Sequence, residues 1–318
     1  MKAILVPVPG GPEALVFGQA PEPRVRDGEV LVRVRATAVN RADLLQAAGK
    51  YPPPAGESEI LGLEAAGLVE GTEERVCFLL PGGGYAERVA VPRGMLMPIP
   101  PNLTFEEAAA IPEAWFTAYL NLFREGGLAA GEVVLVHAAA SGVGTAAIQL
   151  AKDAGASVAA TVRSSSKAEP LAALGADLVV DTTTGGFADA IEERFGKSSV
   201  GLVLDPIGGP SLAQNVRVMA RCGRLVLIAT MGGGSAEIDL RAVLTKRLRI
   251  VGSTLRARAL AEKIDLAAAF VRDVLPGFAN GRFRPLVDSV FPLEQAADAH
   301  RRMAQNANVG KIVLTVGA

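Results

Sequence analysis

The stretch Glu132-Val-Val-Leu-Val-His-Ala-Ala-Ala-Ser-Gly-Val-Gly-Thr-Ala-Ala-Ile-Gln-Leu-Ala-Lys-Asp-Ala-Gly155, continued by Ala156-Ser-Val-Ala-Ala-Thr-Val162, decides the fold. Val133 to Val136 form an apolar run short enough for a strand buried on both faces. A turn of small residues follows, Ala138 to Gly144. Ala146, Ala147, Leu150 and Ala151 then recur at helical spacing, and Gly155 closes the helix. A second β-branched run completes a βαβ unit, in which a dinucleotide pyrophosphate would rest on the helix N-terminus. The turn departs from the strict Gly-x-Gly-x-x-Gly pattern. Its three glycine positions read Ala139, Ser141 and Gly144, with Gly142 additional. Context strengthens the reading, because further strand–helix alternations follow.

Outward from this unit, short apolar β-branched runs predict strands at 133–138, 157–162, 178–181, 201–205, 224–229 and 249–253. Ser166-x-x-Glu169 predicts a capping box, and Pro210 sits where a first helical turn accepts proline. The result is a doubly wound parallel sheet, with ligands expected at the carboxyl ends of its strands. Those ends are Ala138–Gly144, Arg163–Lys167, Asp205–Gly209 and Thr230–Gly234.

Both flanks of the chain read differently. In residues 1–35, Val30, Val32 and Val34 share one face of a strand while Arg33 and Arg35 take the other, as in a partly solvated antiparallel sheet. Asn40 is a plausible N-cap of a short helix ending at Gly49, and the helix dipole accounts for Asp43 in its first turn. Tyr51, before Pro52-Pro-Pro54, reads as a packed loop aromatic. Glu64 is a lone carboxylate in an apolar stretch and would need a partner if buried. Thr104-Phe-Glu-Glu107 is a capping-box pattern, and a further helix carries Trp115 to Phe123 into the central region. After Arg256 the alternation stops: a helix over 258–275, a strand over 283–291, a helix over 293–305 and a strand over 309–316. Residues 1–118 and 257–318 are therefore expected to form one mainly antiparallel, β-rich domain, with the α/β domain of residues 119–256 inserted.

A chain of 318 residues suits two domains. A formal net charge of −1 implies no general nucleic-acid electrostatics, and no run of basic and aromatic residues suggests RNA binding. No apolar run reaches the roughly 18 residues that span a bilayer. Met1-Lys-Ala-Ile-Leu reads as a first strand rather than a signal peptide, so a cytoplasmic location is expected. Cys77 and Cys222 form no Cys-x-x-Cys pair, and both are expected as small buried hydrophobes.

Dinucleotide-binding folds usually place an acid at the end of the second strand to hold the ribose 2′-hydroxyl. Here that place reads Thr161-Val-Arg-Ser-Ser-Ser-Lys167, without a carboxylate. Arg163 and Lys167 can neutralise a 2′-phosphate, and Ser164 to Ser166 can donate to its oxygens, so NADPH is expected over NADH.

The order of motifs resembles the medium-chain dehydrogenase/reductase superfamily, and within it the zinc-free quinone oxidoreductases. The matching pieces include Val39-Asn-Arg-Ala-Asp43, Gly49-Lys-Tyr-Pro-Pro-Pro54, Leu61-Gly-Leu-Glu64, Ile111-Pro-Glu-Ala-Trp115, Ser141-Gly-Val-Gly-Thr145, Ile207-Gly-Gly209, Met231-Gly-Gly-Gly234 and Asn308-Val-Gly-Lys-Ile-Val-Leu314. Several are similar to the p53-inducible quinone oxidoreductase subgroup. The resemblance implies a Rossmann domain inserted into a GroES-like catalytic domain. Zinc alcohol dehydrogenases of the superfamily carry a cysteine near position 40 and a Gly-His-Glu in the next segment. This chain has Val39-Asn40 and Gly62-Leu63-Glu64, so no metal site is expected, and His137 and His300 are expected to be structural. Without a Lewis acid, alcohol dehydrogenation is disfavoured, whereas an electrophilic quinone needs mainly orientation.

The resemblance further implies Asn40, Arg41, Asp43 and Tyr51 as catalytic residues. It places Thr117, Ser141, Gly142, Val143, Gly144, Ile207, Met231 and Gly232 on the cofactor, with Asn308 and Lys311 near its diphosphate or nicotinamide. It implies a homodimer paired through Arg249 to Ser253, with a tetramer as the alternative. The closest rival activity is an enone or enoyl-thioester reductase with Tyr51 as proton donor. A rival of another class is an NADPH-binding sensor or structural protein.

Overall fold

The computed structural model describes residues 1–317. The chain forms two compact units, one from Met1–Phe116 with the chain from Leu255 onward, the other from Thr117–Thr254.

The first unit opens with strands β1 (Lys2–Leu5) and β2 (Val16–Gln19), paired antiparallel. β3 (Glu29–Val39) alternates as its sequence requires: Val32 and Val34 are buried and Arg33 is exposed between them. Helix α1 (Arg41–Ala47) follows, then β4 (Glu64–Val69), β5 (Arg75–Leu79), β6 (Arg88–Pro92) and β7 (Met97–Pro98). Helix α2 (Phe105–Ala109) starts with the box expected at Thr104: its hydroxyl accepts the Glu107 N–H at 3.2 Å, and the Glu107 carboxylate accepts the Thr104 N–H at 2.9 Å. Such a cap contributes about 1 kcal/mol. Helix α3 (Pro112–Tyr119) continues into a π-helical stretch, Leu120–Glu125.

The second unit alternates β8 (Val133–Val136), α4 (Gly142–Asp153), β9 (Ser157–Val162), α5 (Ala168–Ala173), β10 (Leu178–Asp181) and α6 (Ala188–Phe195). It goes on through β11 (Val200–Asp205), α7 (Leu212–Val218), β12 (Met219–Leu227), α8 (Leu240–Lys246) and β13 (Arg249–Gly252). All neighbouring strands are parallel, in the order β10-β9-β8-β11-β12-β13. Sheet order reverses between β8 and β11, which makes their carboxyl ends the natural ligand crevice. The apolar runs become these strands because β8, β9, β11 and most of β12 are covered on both faces.

Two local expectations fail here. Ser166 and Glu169 make no capping box. Ser165–Lys167 is instead a 3₁₀ turn, with the Ser164 and Ser166 hydroxyls 2.8 Å apart, and α5 starts behind it from Lys167, whose side chain does not cap the helix. Cys222 is exposed rather than buried. It lies in a bulge of β12 at φ +62°, where register passes from Val200↔Met219 to Leu202↔Arg224, and the inserted residues turn outward. Cys77 is buried as expected, and burial pushes its thiol up to about 12.

The chain then returns to the first unit with α9 (Leu260–Asp273), α10 (Leu275–Ala279), β14 (Val287–Pro292), α11 (Ala296–Ala304) and β15 (Lys311–Thr315). β15 pairs antiparallel with β3, completing a seven-stranded sheet in the order β14-β15-β3-β4-β5-β7, with β6 also on β3. A parallel, doubly wound sheet is thus inserted into a mainly antiparallel one. Among the described residues no helix is long and apolar enough to cross a membrane.

Candidate functional site

In the parallel-sheet unit the β8–α4 turn is held open by its small residues. Ser141 caps α4, its Oγ accepting the Gly144 N–H at 3.1 Å, while the Ser141 carbonyl accepts from Thr145. The Gly142 and Val143 N–H groups therefore have no acceptor within the helix. No acidic residue stands in the first turn to compete for them. Gly144 is required by close approach: a Cβ there would lie 2.4 Å from the Ala139 carbonyl oxygen. Ala138 holds a left-handed φ of +47°, a strained conformation for a non-glycine residue that recurs at binding turns. Small residues, a free helix N-terminus and its positive dipole suit a diphosphate.

Behind the turn runs a polar network that sequence reading missed. Asp205, fully buried at the end of β11, accepts the Ile207 and Gly208 N–H groups at 2.6 and 3.0 Å, the Ser211 hydroxyl at 2.7 Å and the Asn215 amide at 2.9 Å. Because the Asn215 nitrogen donates to Asp205, its oxygen faces His137 Nε2 at 2.7 Å, so Nε2 carries the proton. His137 Nδ1 then accepts from Thr161 at 2.8 Å. Burial holds the His137 pKa below its ordinary value, with Asp205 opposing. The network joins the ends of β8, β9 and β11 and fixes the loop at Ile207. That loop in turn holds the next one: the Gly232 N–H donates to the Ile207 carbonyl at 2.8 Å and the Gly209 N–H to the Gly233 carbonyl at 2.9 Å. Met231 is half exposed beside them. Arg163 is exposed just past β9, next to Ser164, with Lys167 half-buried in the following 3₁₀ turn. Thr117 is buried in α3, its carbonyl accepting from Asn121 at 2.7 Å.

In the other unit, three candidate residues gather around an ion pair. Glu64, fully buried, lies 2.6 Å from the Lys311 ammonium. Asn40 is bonded at both ends of its amide: Nδ2 donates to Glu64 Oε1 at 2.8 Å and Oδ1 accepts from Lys311 at 2.6 Å. Lys311 also donates to the Val39 carbonyl, and the second Glu64 oxygen accepts the Glu113 N–H at the start of α3. The partner required for a buried Glu64 is therefore present. Asn40 precedes α1 as expected, yet its amide is committed to Glu64 and Lys311. Lys311 is buried, with its ammonium taken up inside this unit.

Asp43 does more than face a helix dipole. It is fully buried, with Oδ2 accepting the Asn40 N–H at 2.7 Å and the Tyr85 hydroxyl at 3.3 Å, and Oδ1 accepting the Gly62 N–H at 3.1 Å. Gly62 adopts φ +102°, and a Cβ there would meet Tyr85 at 2.6 Å. Burial raises Asp43 to about 6 against the bonds that favour its charge. Tyr85 lies 3.2 Å from His300 Nε2, and burial lowers His300 to about 4. Neither Tyr85 as a partner of Asp43 nor His300 as a partner of Tyr85 was legible, since they lie far apart along the chain. Arg41 ties α1 to α11, donating to the Met303 carbonyl at 3.1 Å and to Asn306 at 2.7 Å. The Arg256 guanidinium sits 5.1 Å from the Tyr51 ring centroid. Asn308 donates to the Gly310 carbonyl at 2.8 Å. Among the described residues no three His, Cys, Asp or Glu side chains converge as a metal site would require.

A doubly wound unit with an open, small-residue β8–α4 turn, inserted along the chain into an antiparallel unit with buried polar groups around position 40, defines an oxidoreductase of the medium-chain dehydrogenase/reductase superfamily. Residues 26–101 match the alcohol dehydrogenase GroES-like domain and residues 142–270 the zinc-binding dehydrogenase domain. The chain is 31% identical to quinone oxidoreductase of Lama guanicoe, over 99% of this chain and 97% of that one. The structure of the Thermus thermophilus quinone oxidoreductase, also solved with NADPH, aligns with a TM-score of 0.85 at 34% identity, covering 99% of this chain and 100% of that one. An NAD-dependent alcohol dehydrogenase structure aligns with a TM-score of 0.88 at 31% identity, covering both chains completely. The chain belongs to the quinone oxidoreductase-like family of this superfamily.

Proposed function

We propose that the chain is an NADPH-dependent quinone oxidoreductase of the cytoplasm, passing hydride to a quinone without a metal ion. The observation that carries this reading is the setting of Asn40. Where zinc-dependent relatives place a cysteine and a histidine, this chain has Asn40 and Leu63, and both ends of the Asn40 amide are bonded to Glu64 and Lys311. A neutral amide tied in this way orients; it does not ligate a cation.

NADPH supplies the hydride. Ser141, Gly142, Val143 and Gly144 hold its diphosphate on the α4 N-terminus, and Arg163, Ser164 and Lys167 receive the 2′-phosphate. Thr117, Ile207, Met231, Gly232 and Asn308 complete the cofactor's surroundings, and Lys311 acts through Asn40. Asn40, Arg41 and Tyr51 position the acceptor, while Asp43 anchors the start of α1. Reduction of a quinone gives a hydroquinone anion that solvent can protonate, so placement is the main demand on the protein.

A second reading is reduction of an enone or enoyl thioester with Tyr51 as proton donor, its ring held in place by the Arg256 guanidinium 5.1 Å from the ring centroid. Replacing Tyr51 by Phe should abolish alkene reduction and spare quinone reduction. The oligomer proposed is a homodimer. β13 is an edge strand with Ile250 42% exposed, and α8 immediately before it exposes Leu240 and Leu244 by 72% and 76%.

Steady-state oxidation of NADPH and NADH with an ortho-quinone, a para-quinone, an enone and an aldehyde, all with EDTA present, tests the assignment. Fast, NADPH-selective quinone turnover is expected. Preference for the enone moves the activity to alkene reduction, and tight NADPH binding without turnover leaves a sensor.

A further inference from the structure

A pocket of about 220 Å³, partly open to solvent, lies within the antiparallel-sheet unit. It is walled by the turn Gly10–Pro12, by Leu44 and Ala47 of α1 with Ala48 just past its end, and by His300 of α11. Apart from His300 its walls are apolar or backbone, and none of the lining side chains is charged. His300 itself is 1% exposed. Its Nε2 faces the Tyr85 hydroxyl, and its Nδ1 takes no partner among the described residues. Among the described residues the sealed, unpartnered side-chain polar atoms belong to Asn121, Ser199 and Ser253; Nδ1 is not one of them, and His300 lines the pocket.

The bonding chain behind His300 sets what Nδ1 can do. The Asp43 carboxylate accepts the single proton of Tyr85. The Tyr85 oxygen must then accept from His300 Nε2–H, because Tyr85 has no second proton to give. A neutral imidazole protonated at Nε2 presents a bare lone pair at Nδ1. The pocket therefore offers one side-chain acceptor in the plane of the ring, beside apolar side chains and the backbone of Gly10–Pro12.

We infer that this cavity is a binding site for a small neutral ring compound carrying a hydroxyl, of phenol size, whose O–H donates to His300 Nδ1. A dry apolar cavity of roughly 150 Å³ already takes up benzene, so the volume admits a ring with one substituent. Charged ligands are disfavoured because no wall group pairs with them. A ring without a hydroxyl leaves the Nδ1 lone pair unpaired and binds less well. The inference does not rest on the proposed redox activity.

The chain's two histidines make the test direct. In the whole protein labelled with ¹⁵N-histidine, His300, identified by its loss in His300→Phe, should show the Nε2–H tautomer at neutral pH. Added phenol should move its Nδ1 resonance saturably, and toluene should bind at least about tenfold more weakly. Leu44→Trp and, separately, Ala48→Leu fill the cavity from α1. Either should abolish the phenol shift while preserving the tautomer and the melting temperature. An Nδ1–H tautomer, no saturable shift with phenol, or a shift unchanged in the filled variants would overturn the inference. A cavity holding only water would give the second of these results.

Discussion

His300 and Asp43 titrate in opposite senses, and the direction follows from which state binds the proton more tightly. His300 falls to about 4 when folded, so the unfolded chain is protonated first, and stability present above about pH 6.5 is lost as pH drops toward 4. Between about pH 7.5 and about pH 5 this amounts to ~2 kcal/mol. Asp43 rises to about 6, so its burial weakens the fold above that pH and the weakening is relieved on acidification. Urea unfolding at the two pH values should show His300→Phe losing less stability on acidification than the parent, and Asp43→Asn losing more; parallel losses in all three would reject this assignment. Lys311→Met leaves the Glu64 carboxylate buried without its cation and should cost about 3–5 kcal/mol. Adding Glu64→Gln should restore part of that loss, and failure to do so would remove the ion pair as its cause. Arg163 with Lys167, both changed to Ala, should raise the KM for NADPH about ten- to a hundredfold and spare NADH. An equal loss for both cofactors would sink the 2′-phosphate role. The strand ends themselves were legible because the βαβ alternation fixes them by position. Tyr85 and His300 were not, because nothing local in sequence links them to Asp43.

Among elements, the β8–α4 turn was read correctly despite its irregular glycines, because the requirement is for small side chains at close contacts rather than for glycine everywhere. Ala139 and Ser141 satisfy it; Gly144 admits no substitute. A methyl at Gly144 would lie 2.4 Å from the Ala139 oxygen, so Gly144→Ala should push α4 off the turn and weaken NADPH binding at least about tenfold. Isothermal titration of NADPH would show it, and unchanged affinity would detach the turn from the cofactor. The box at Thr104 formed and that at Ser166 did not, though both fit the same pattern. At Ser166 the chain closes a 3₁₀ turn first, so the helix starts after the serine and Glu169 no longer sits three residues past its cap. Burial of Cys222 failed for a similar reason, since a bulge within an apolar strand reverses the side-chain alternation that the reading assumed.

For the molecule as a whole, the open edge at β13 and the exposed leucines of α8 motivate the proposed dimer. Ile250→Lys puts a charge on that edge and should shift the protein from dimer to monomer in analytical ultracentrifugation. A monomeric parent, or a dimer indifferent to the change, would place association elsewhere.

The amino-acid sequence by itself determined the alternation of elements and the order of the parallel-sheet strands along the chain. These depend on periodicity and local sterics, which act over a few residues. Only the tertiary structure decided that Glu64 pairs with Lys311, that Asn40 is clamped between them, and that Asp43, Tyr85 and His300 form one chain of bonds. Each of these polar groups is buried, and a buried polar group must take a partner from whatever the fold brings within reach. Sequence distance carries no information about that choice; the pairing of β15 with β3, joining the two ends of the chain, made it.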